Sequence, residues 1–447
     1  MPMSEMQNWM TMPHVCIITS SAPATNPRMV KEVNTLLDKG YQVSAVVGAH
    51  QGWARSFESA LRRGALKSCS VVEYGPGART TERVAQLAGR WSARVWWNFA
   101  RSSSYRVAVR ANHDATTGLI EAASKIKADL YIAHYVAALP AAASAAARHA
   151  ALYAFDAEDF HLGDLPDGPR HMHERRITQV IERRLLINCS YVTAASPGIA
   201  DAYASAYGIK RPTVILNVFS KSQAPGFPTR TGCARPTPSV YWFSQTIGPD
   251  RGLECAVRAI AAARTRPHLF LRGAPAQGFA ELLMALARKV GVGDRVHLLA
   301  PAPPTEMERL AAIHDVGLCG EPSHTSNNAL ALSNKLFSFI LAGVPPLMSE
   351  TSAQTMFAAD AGFAEFLYPI DNVEALASLL DRMLGDPQHL ASARAKVWSL
   401  GQRIYNWDNE RSRLVACVDA ALRTNYQIPA SETALPHRAA HPVSSGL

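Results

Sequence analysis

The sequence predicts an α/β protein of two doubly wound domains that face each other across a cleft. Three observations carry this expectation. Short continuous apolar runs, of the kind that form strands buried on both faces, recur along the chain and alternate with segments of helical periodicity. The alternation comes in two blocks, split by SKSQAPGFPTRTGCARPTP, which is rich in Pro, Gly, Ser and Thr and has no apolar period; such a stretch reads as an interdomain linker. Finally, 447 residues at 48% hydrophobic and 18% charged suffice for two or three ordinary domains and exclude a disordered chain.

The first block opens with a βαβ unit. HVCIITS is the first strand. Asn26 stands ready to cap the next helix, with Pro27 at its first position, Met29, Val30, Val33, Leu36 and Leu37 on one face, and Gly40 to end it in a left-handed turn. YQVSAVV is the second strand, and a strand–helix–strand unit implies parallel pairing. After a less regular middle come DLYIAH, the Ala-rich helix LPAAASAAARHA, the strand ALYAF, a polar helix from about Pro169 to Asn188, the strand YVTAAS, the helix PGIADAYASAYG and the strand TVILN. The second block runs VYWFS, a helix from about Gly252 to Ala263, HLFLRG, FAELLMALARKVG, RVHLLA, PTEMERLAAIH, DVGLC, NKLFSFILAG and VPPLMS, and closes with three helices. The expected boundaries are 1–220 for the first domain, 221–238 for the linker and 239–404 for the second domain, with a last helix at 405–425 and a disordered tail at 426–447.

Lys and Arg number 45 against 36 Asp and Glu, a net charge of +9. That surplus favours an anionic partner or serves solubility alone. No basic-and-aromatic binding module directs it to nucleic acid, so no nucleic-acid partner is expected. The seven scattered cysteines form no C-x-x-C pair, which points to buried free thiols and not to a disulfide framework or a zinc site. MPMSEMQNWMTMPH lacks the basic start and apolar core of a signal peptide, and no stretch is apolar for the length a bilayer needs. The expected location is the cytoplasm, with room for contact with the inner face of the plasma membrane.

Taken in order, NPRMVKEVNTLLDKGYQVSAVV, ADLYIAHYVAALPAA, FDAEDFHLGD, ASPGIADAYASAYG with PTVILN, and SNKLFSFILAGVPPLMS resemble the matching stretches of glycosyltransferases made of two Rossmann-like domains. The arrangement is the GT-B fold, and the resemblance is to its "group 1", family 4-like branch of mostly retaining enzymes. It spans about residues 13–425. It implies a nucleotide-sugar donor on the C-terminal domain and a saccharide or lipid-linked saccharide acceptor on the N-terminal domain. It further implies transfer with retention in cell-surface polysaccharide or glycolipid synthesis, no cofactor and no metal, and a last helix that crosses back to the first domain.

Such transfer needs cations or helix-start amides beside the departing diphosphate. In SQTIGPDRGLE, Gly248 allows close backbone approach, and Arg251 stands where the resemblance places a phosphate-binding lysine. A second family cation falls on Thr246 and is missing, with Arg272 placed to compensate. In SNKLFSFILAGVP, Ser333 can cap a helix whose first turn carries Lys335; a cation there opposes the helix dipole, which a nearby anion would explain. Asn334 and Lys335 match a recurring family pair. The family's two glutamates fall on Leu330 and Ser338, so Ser338 is the donor-side residue where a ribose-binding glutamate is implied, and Asn327 and Asn328 are alternative polar contacts to the sugar.

For catalysis, His134 ends DLYIAH at the edge of the expected cleft. The resemblance gives it contact with the donor sugar or a part in proton transfer, which suits an imidazole near neutral pH; a capping or core histidine is the other assignment. Asp156 and Glu158, in FDAEDFH with Asp159 and His161, fit either an acceptor-orienting acid and base or loop caps. Residues 91–110, WSARVWWNFARSSSYRVAVR, fit either an anionic membrane surface or a core helix with its arginines outward. Two other functions stay open: a nucleotide-sugar epimerase of the same fold, and an inactive binding or scaffold subunit, which the missing glutamates favour.

Overall fold

A computed structural model describes residues 12–49, 66, 68–74, 80–99, 104–226 and 237–427. Linker residues 227–236 and the tail from residue 428 lie outside the described residues. Two parallel sheets, each flanked by helices, face one another across a cleft. The first sheet contains β1 (His14–Thr19), β2 (Gln42–Ala49), β3 (Cys69–Glu73), β4 (Leu130–His134), β5 (Leu152–Ala157), β6 (Val192–Ala194) and β7 (Thr213–Val214), in the order β3-β2-β1-β4-β5-β6-β7. The second contains β8 (Ser239–Ile247), β9 (His268–Pro275), β10 (Val296–Leu299), β11 (Val316–Cys319), β12 (Pro346–Ser349) and β13 (Leu367–Tyr368), in the order β10-β9-β8-β11-β12-β13. Both sheets therefore reverse direction beside their first strand, and ligands of such sheets bind outside the carboxyl ends at that point.

Central strands are apolar because both faces are covered. Val15, Cys16, Ile17 and Ile18 of β1 are all fully buried. In the second domain Trp242, Phe337 and Phe339 are likewise enclosed, and each such side chain contributes roughly 1.5–3 kcal/mol relative to leaving it in water. The helix Pro27–Asp38 begins as its sequence expects: the Asn26 side chain accepts from the Met29 amide at 3.0 Å. Its inner face differs from expectation. Leu37 is exposed, while Arg28 and Glu32 are fully buried beside Met29, Val33 and Leu36. TVILN pairs only over Thr213–Val214. VYWFS is longer than expected, Ser239–Ile247, with an irregularity in its pairing to β9 between Phe243 and Thr246.

The helix Trp407–Gln427 packs on the first domain. Trp407 Nε1 donates to Thr35 Oγ1 at 2.8 Å, Tyr41 donates to Asp419, and the Leu216 amide donates to Glu410 at 3.0 Å. Among the described residues no helix is long and apolar enough to cross a membrane.

Candidate functional site

A cavity of about 360 Å³ opens between the domains. Its N-terminal wall is Ala24, Thr25 and Pro27, just beyond β1, and its C-terminal wall includes Ser244, Gln245 and Thr246 of β8. Five of the six donor residues expected from the sequence, Arg251, Arg272, Asn334, Lys335 and Ser338, line it together. Gly248 does not; a Cβ there would meet only ordinary contacts, at 3.6 Å from Ala276 and Thr246. The glycine that matters is Gly252. Its φ is +67°, and a Cβ would stand 2.3 Å from the Gly320 carbonyl oxygen. No larger residue fits, so the loop carrying Arg251 is pinned against the end of β11.

Arg251 Nη1 donates to Ser244 Oγ at 3.2 Å. Arg272 is tied more firmly, through Nε to Tyr241 Oη at 2.8 Å and Nη1 to the Ala300 carbonyl at 2.7 Å. Lys335 Nζ lies 2.6 Å from Glu321 Oε1 and 5.6 Å over the Trp242 ring. Burial pushes the Glu321 carboxyl up, yet the charge and hydrogen bond of Lys335 hold it below the ordinary range. Ser333 stands at the cap position of the helix Asn334–Leu341 without a capping bond. Three cations and a helix N-terminus thus meet in one cavity, an arrangement suited to a diphosphate. Ser338 Oγ donates to Glu308 Oε1 at 2.7 Å, a partner that no sequence pattern marks.

Of the two assignments open for His134 the structure has the core one, and Asp156 is buried with it. Neither lines the cavity. His134 is fully buried at the end of β4, with Nε2 3.1 Å from Glu32 Oε2 and Nδ1 3.3 Å from Asp156 Oδ2. Arg28 closes the cluster: Nε and Nη2 donate to Asp156 at 2.6 and 2.7 Å, and Nη1 donates to the Ile215 carbonyl at 2.7 Å. Burial alone would lower the His134 pKa, but Glu32 and Asp156 raise it to about 9. Burial would raise Asp156, but Arg28 and His134 hold it at about 2. Two carboxylates and two cations therefore balance inside the first domain.

The expectation of no metal is corrected by the same cluster. Glu32, His134 and Asp156 each present a ligand atom, all within 4.8 Å of one another, and a set of one imidazole and two carboxylates can hold a divalent ion. Any ion there shares those carboxylates with the Arg28 guanidinium.

Glu158 keeps some exposure. Its Oε1 accepts from Asn217 Nδ2 at 3.1 Å, Tyr135 lies against the same carboxylate, and burial raises its pKa. Asn327 binds the other domain: Nδ2 donates to Asp159 at 2.9 Å and Oδ1 accepts from the Phe160 amide at 2.8 Å. Ser196 Oγ adds a bond to the Leu330 carbonyl at 2.6 Å. Asn328 pairs with Thr325. Sequence reasoning also missed Tyr135, which follows His134 at φ +69°, a strained conformation for a bulky residue that concentrates at functional sites. In the 91–110 stretch, Trp97 is buried while Trp91 and Trp96 are 70% and 65% exposed on the helix Thr80–Phe99; residues 100–103 lie outside the described residues.

No protein-family model matches the chain, and no curated protein does. Solved structures match it along nearly its whole length. HepE of Anabaena, in complex with UDP and glucose, is similar at TM-score 0.67 and 15% identity, over 91% of this chain and 100% of HepE. Sucrose-phosphate synthase of Thermosynechococcus elongatus is similar at TM-score 0.68 and 13% identity, over 92% and 100%. The lipopolysaccharide outer core galactosyltransferase WaaB is similar at TM-score 0.53 and 11% identity, over 91% and 99%. Likeness at these identities establishes the fold: two Rossmann-like domains across a cleft, the GT-B arrangement.

Proposed function

We propose that the chain transfers a sugar from a nucleoside-diphosphate donor to a saccharide or lipid-linked saccharide acceptor, with retention, in cell-surface polysaccharide or glycolipid synthesis. The observation that carries this is the convergence of Arg251, Arg272, Lys335 and Asn334 on one interdomain cavity at the carboxyl ends of the sheets. HepE, which shares the fold, is held in complex with UDP-glucose, and that likeness supports a nucleotide-sugar donor. The cations would offset the charge that grows on the departing diphosphate. Glu158, whose carboxyl burial pushes up, is suited to orient an acceptor hydroxyl. His134 and Asp156 act from beneath, as positioning residues that order the ends of β4 and β5. The exposed Trp91 and Trp96 support contact of the 91–110 region with an anionic membrane, and so a place at the inner membrane face. The division into 1–220, 221–238, 239–404 and 405–425 is part of the same proposal.

Thermal unfolding with UDP-, GDP-, ADP- and dTDP-sugars tests the donor assignment, since a ligand of the folded state raises Tm. A rise with one nucleotide, lost in Lys335→Ala, is expected. An unchanged Tm with all four would favour a scaffold subunit, and an epimeric sugar nucleotide formed without acceptor would favour an epimerase.

A further inference from the structure

A groove of about 930 Å³ lies on the first domain, apart from the donor cavity, between the helices Thr80–Phe99, Tyr105–Asn112 and Thr116–Ala123. Its floor is the face of Thr80–Phe99 that carries Gln86, Gly89, Ala93 and Trp96, which follow one another at helical spacings of three and four. Trp91 does not line it, so the two exposed tryptophans of that helix serve different faces. Gly89 leaves the floor open, since a Cβ there would meet nothing within 4 Å. One end of the groove reaches the cleft side of the first sheet. His113 lines that end and meets Tyr74 edge-on, with ring centroids 5.0 Å apart, and Tyr74 Oη donates to the carbonyl of Ser20, just past β1, at 2.9 Å. From Glu82 to Trp96 the wall runs about 21 Å along the helix. That length suits a chain of several sugar units better than a single small ion.

The charge on the lining is mainly positive. Arg90 Nη1 donates to Asp114 at 3.2 Å, but Arg90 Nε and Gln86 Oε1 are buried without a hydrogen-bond partner. Arg106 and Arg110 line the groove, are exposed, and have no ion pair among the described residues. They stand four residues apart on one helix, where like charges oppose each other; an anion held by both guanidinium groups relieves that opposition. A sugar ring needs a flat apolar face and polar groups around it. Trp96, 65% exposed, and half-buried Tyr105 supply the first, and Gln86, Ser92, Thr117 and Ser144 the second. A bilayer meets side chains that project, whereas these line a recess. We propose that the groove holds an anionic saccharide chain, with its phosphate or carboxylate groups on Arg106 and Arg110 and a sugar ring on Trp96. In the transferase reading, on which its purpose rests, that chain is the acceptor, lying with its reacting end towards the cleft.

Calorimetric titration of the full chain with heparin hexasaccharide, an anionic probe of this class, and with uncharged maltohexaose tests the groove. The parent is expected to bind the anionic chain about tenfold more tightly or better. Arg106→Gln with Arg110→Gln should weaken that binding about tenfold or more at an unchanged melting temperature. Gly89→Leu should weaken it as much with every charge in place, because the new side chain fills the floor. Arg288→Gln with Lys289→Gln, an exposed basic pair on the second domain, should change it by less than about twofold, since charges far from the groove are screened. An equal loss from that control pair reduces the binding to net charge and overturns the site. So does full binding by Gly89→Leu, equal binding of the two oligosaccharides, or no binding by the parent. Sedimentation with phosphatidylglycerol vesicles that depends on Arg106 and Arg110, while neither oligosaccharide binds, assigns the arginines to a bilayer and overturns it too. The titrations contain no donor. A groove that holds the chain in a protein that binds no UDP-, GDP-, ADP- or dTDP-sugar therefore overturns the transferase reading and leaves the saccharide site standing.

Discussion

Arg28→Met tests the buried cluster most directly. Arg28 has no exposure. It donates twice to Asp156, at 2.6 and 2.7 Å, and once to the Ile215 carbonyl at 2.7 Å, and it lies 3.6 Å from Glu32. Methionine fills most of the space but leaves two carboxylates with only His134 to offset them, and a carbonyl with no donor. Breaking a buried ion pair by removing one partner costs about 3–5 kcal/mol, a large part of the roughly 5–15 kcal/mol of a typical domain. For a domain of this size that is a fall in Tm of roughly 6–20 °C. Urea unfolding at pH 7, followed by far-ultraviolet circular dichroism and tryptophan fluorescence, should show a lower midpoint with an unchanged slope for the transition that includes the first sheet. The double variant Arg28→Met with Asp156→Leu removes both partners and should be less harmful than the sum of the two single changes. A single variant within about 1 kcal/mol of the parent would refute the idea that this charge balance holds the domain together.

The cluster also sets a pH window. His134 is raised from 6.5 to about 9, so its stabilisation is complete below about 6.5 and is lost as pH rises through 9; the loss is about 3 kcal/mol. Asp156, held at about 2, loses its share only as pH falls from about 4 towards 2. Urea midpoints from pH 5 to 10 should decline on the alkaline side, and His134→Gln should flatten that decline. Arg251→Ala should weaken nucleotide binding about tenfold or more with little change in Tm, because Arg251 bonds only a half-buried serine. Arg272→Ala should also lower stability by about 1–3 kcal/mol, since Tyr241 and the Ala300 carbonyl lose their partner; equal Tm values for the two variants would contradict this difference. Arg28→Ala leaves Glu32, His134 and Asp156 without their guanidinium. Zn²⁺ should raise the Tm of that variant more than that of the parent, reversibly with EDTA and no longer once His134→Ala is added.

The alternation of strands and helices is legible in the sequence because strands covered on both faces leave unbroken apolar runs such as VCII and LYIA. β3 is not legible: its residues alternate in partial exposure and carry no continuous run. The donor cations are legible because local rules mark them, Arg251 in a glycine-containing loop after a strand and Lys335 in a helix turn where the dipole disfavours it. Arg28 and Glu32 are not. An i, i+4 charge pair on an amphipathic helix reads as solvent-facing, and what turns it inward is Asp156 on β5, far along the chain. Glu308 is hidden for the same reason, since its position opposite Ser338 is a matter of helix packing. His134 is found by its place at a strand end, but that place alone does not separate the open cleft from the layer beneath it.

The final helix has a consequence for how the protein is made. Trp407, Glu410 and Asp419 satisfy Thr35, Leu216 and Tyr41, so the end of the chain finishes the packing of its beginning. On the ribosome the first domain emerges first, yet its outer helix waits beside an open apolar groove while the whole second domain is synthesised. The half of the protein made earliest is the last to be sealed, and a chain stopped before residue 407 would leave both halves present and the first one unfinished.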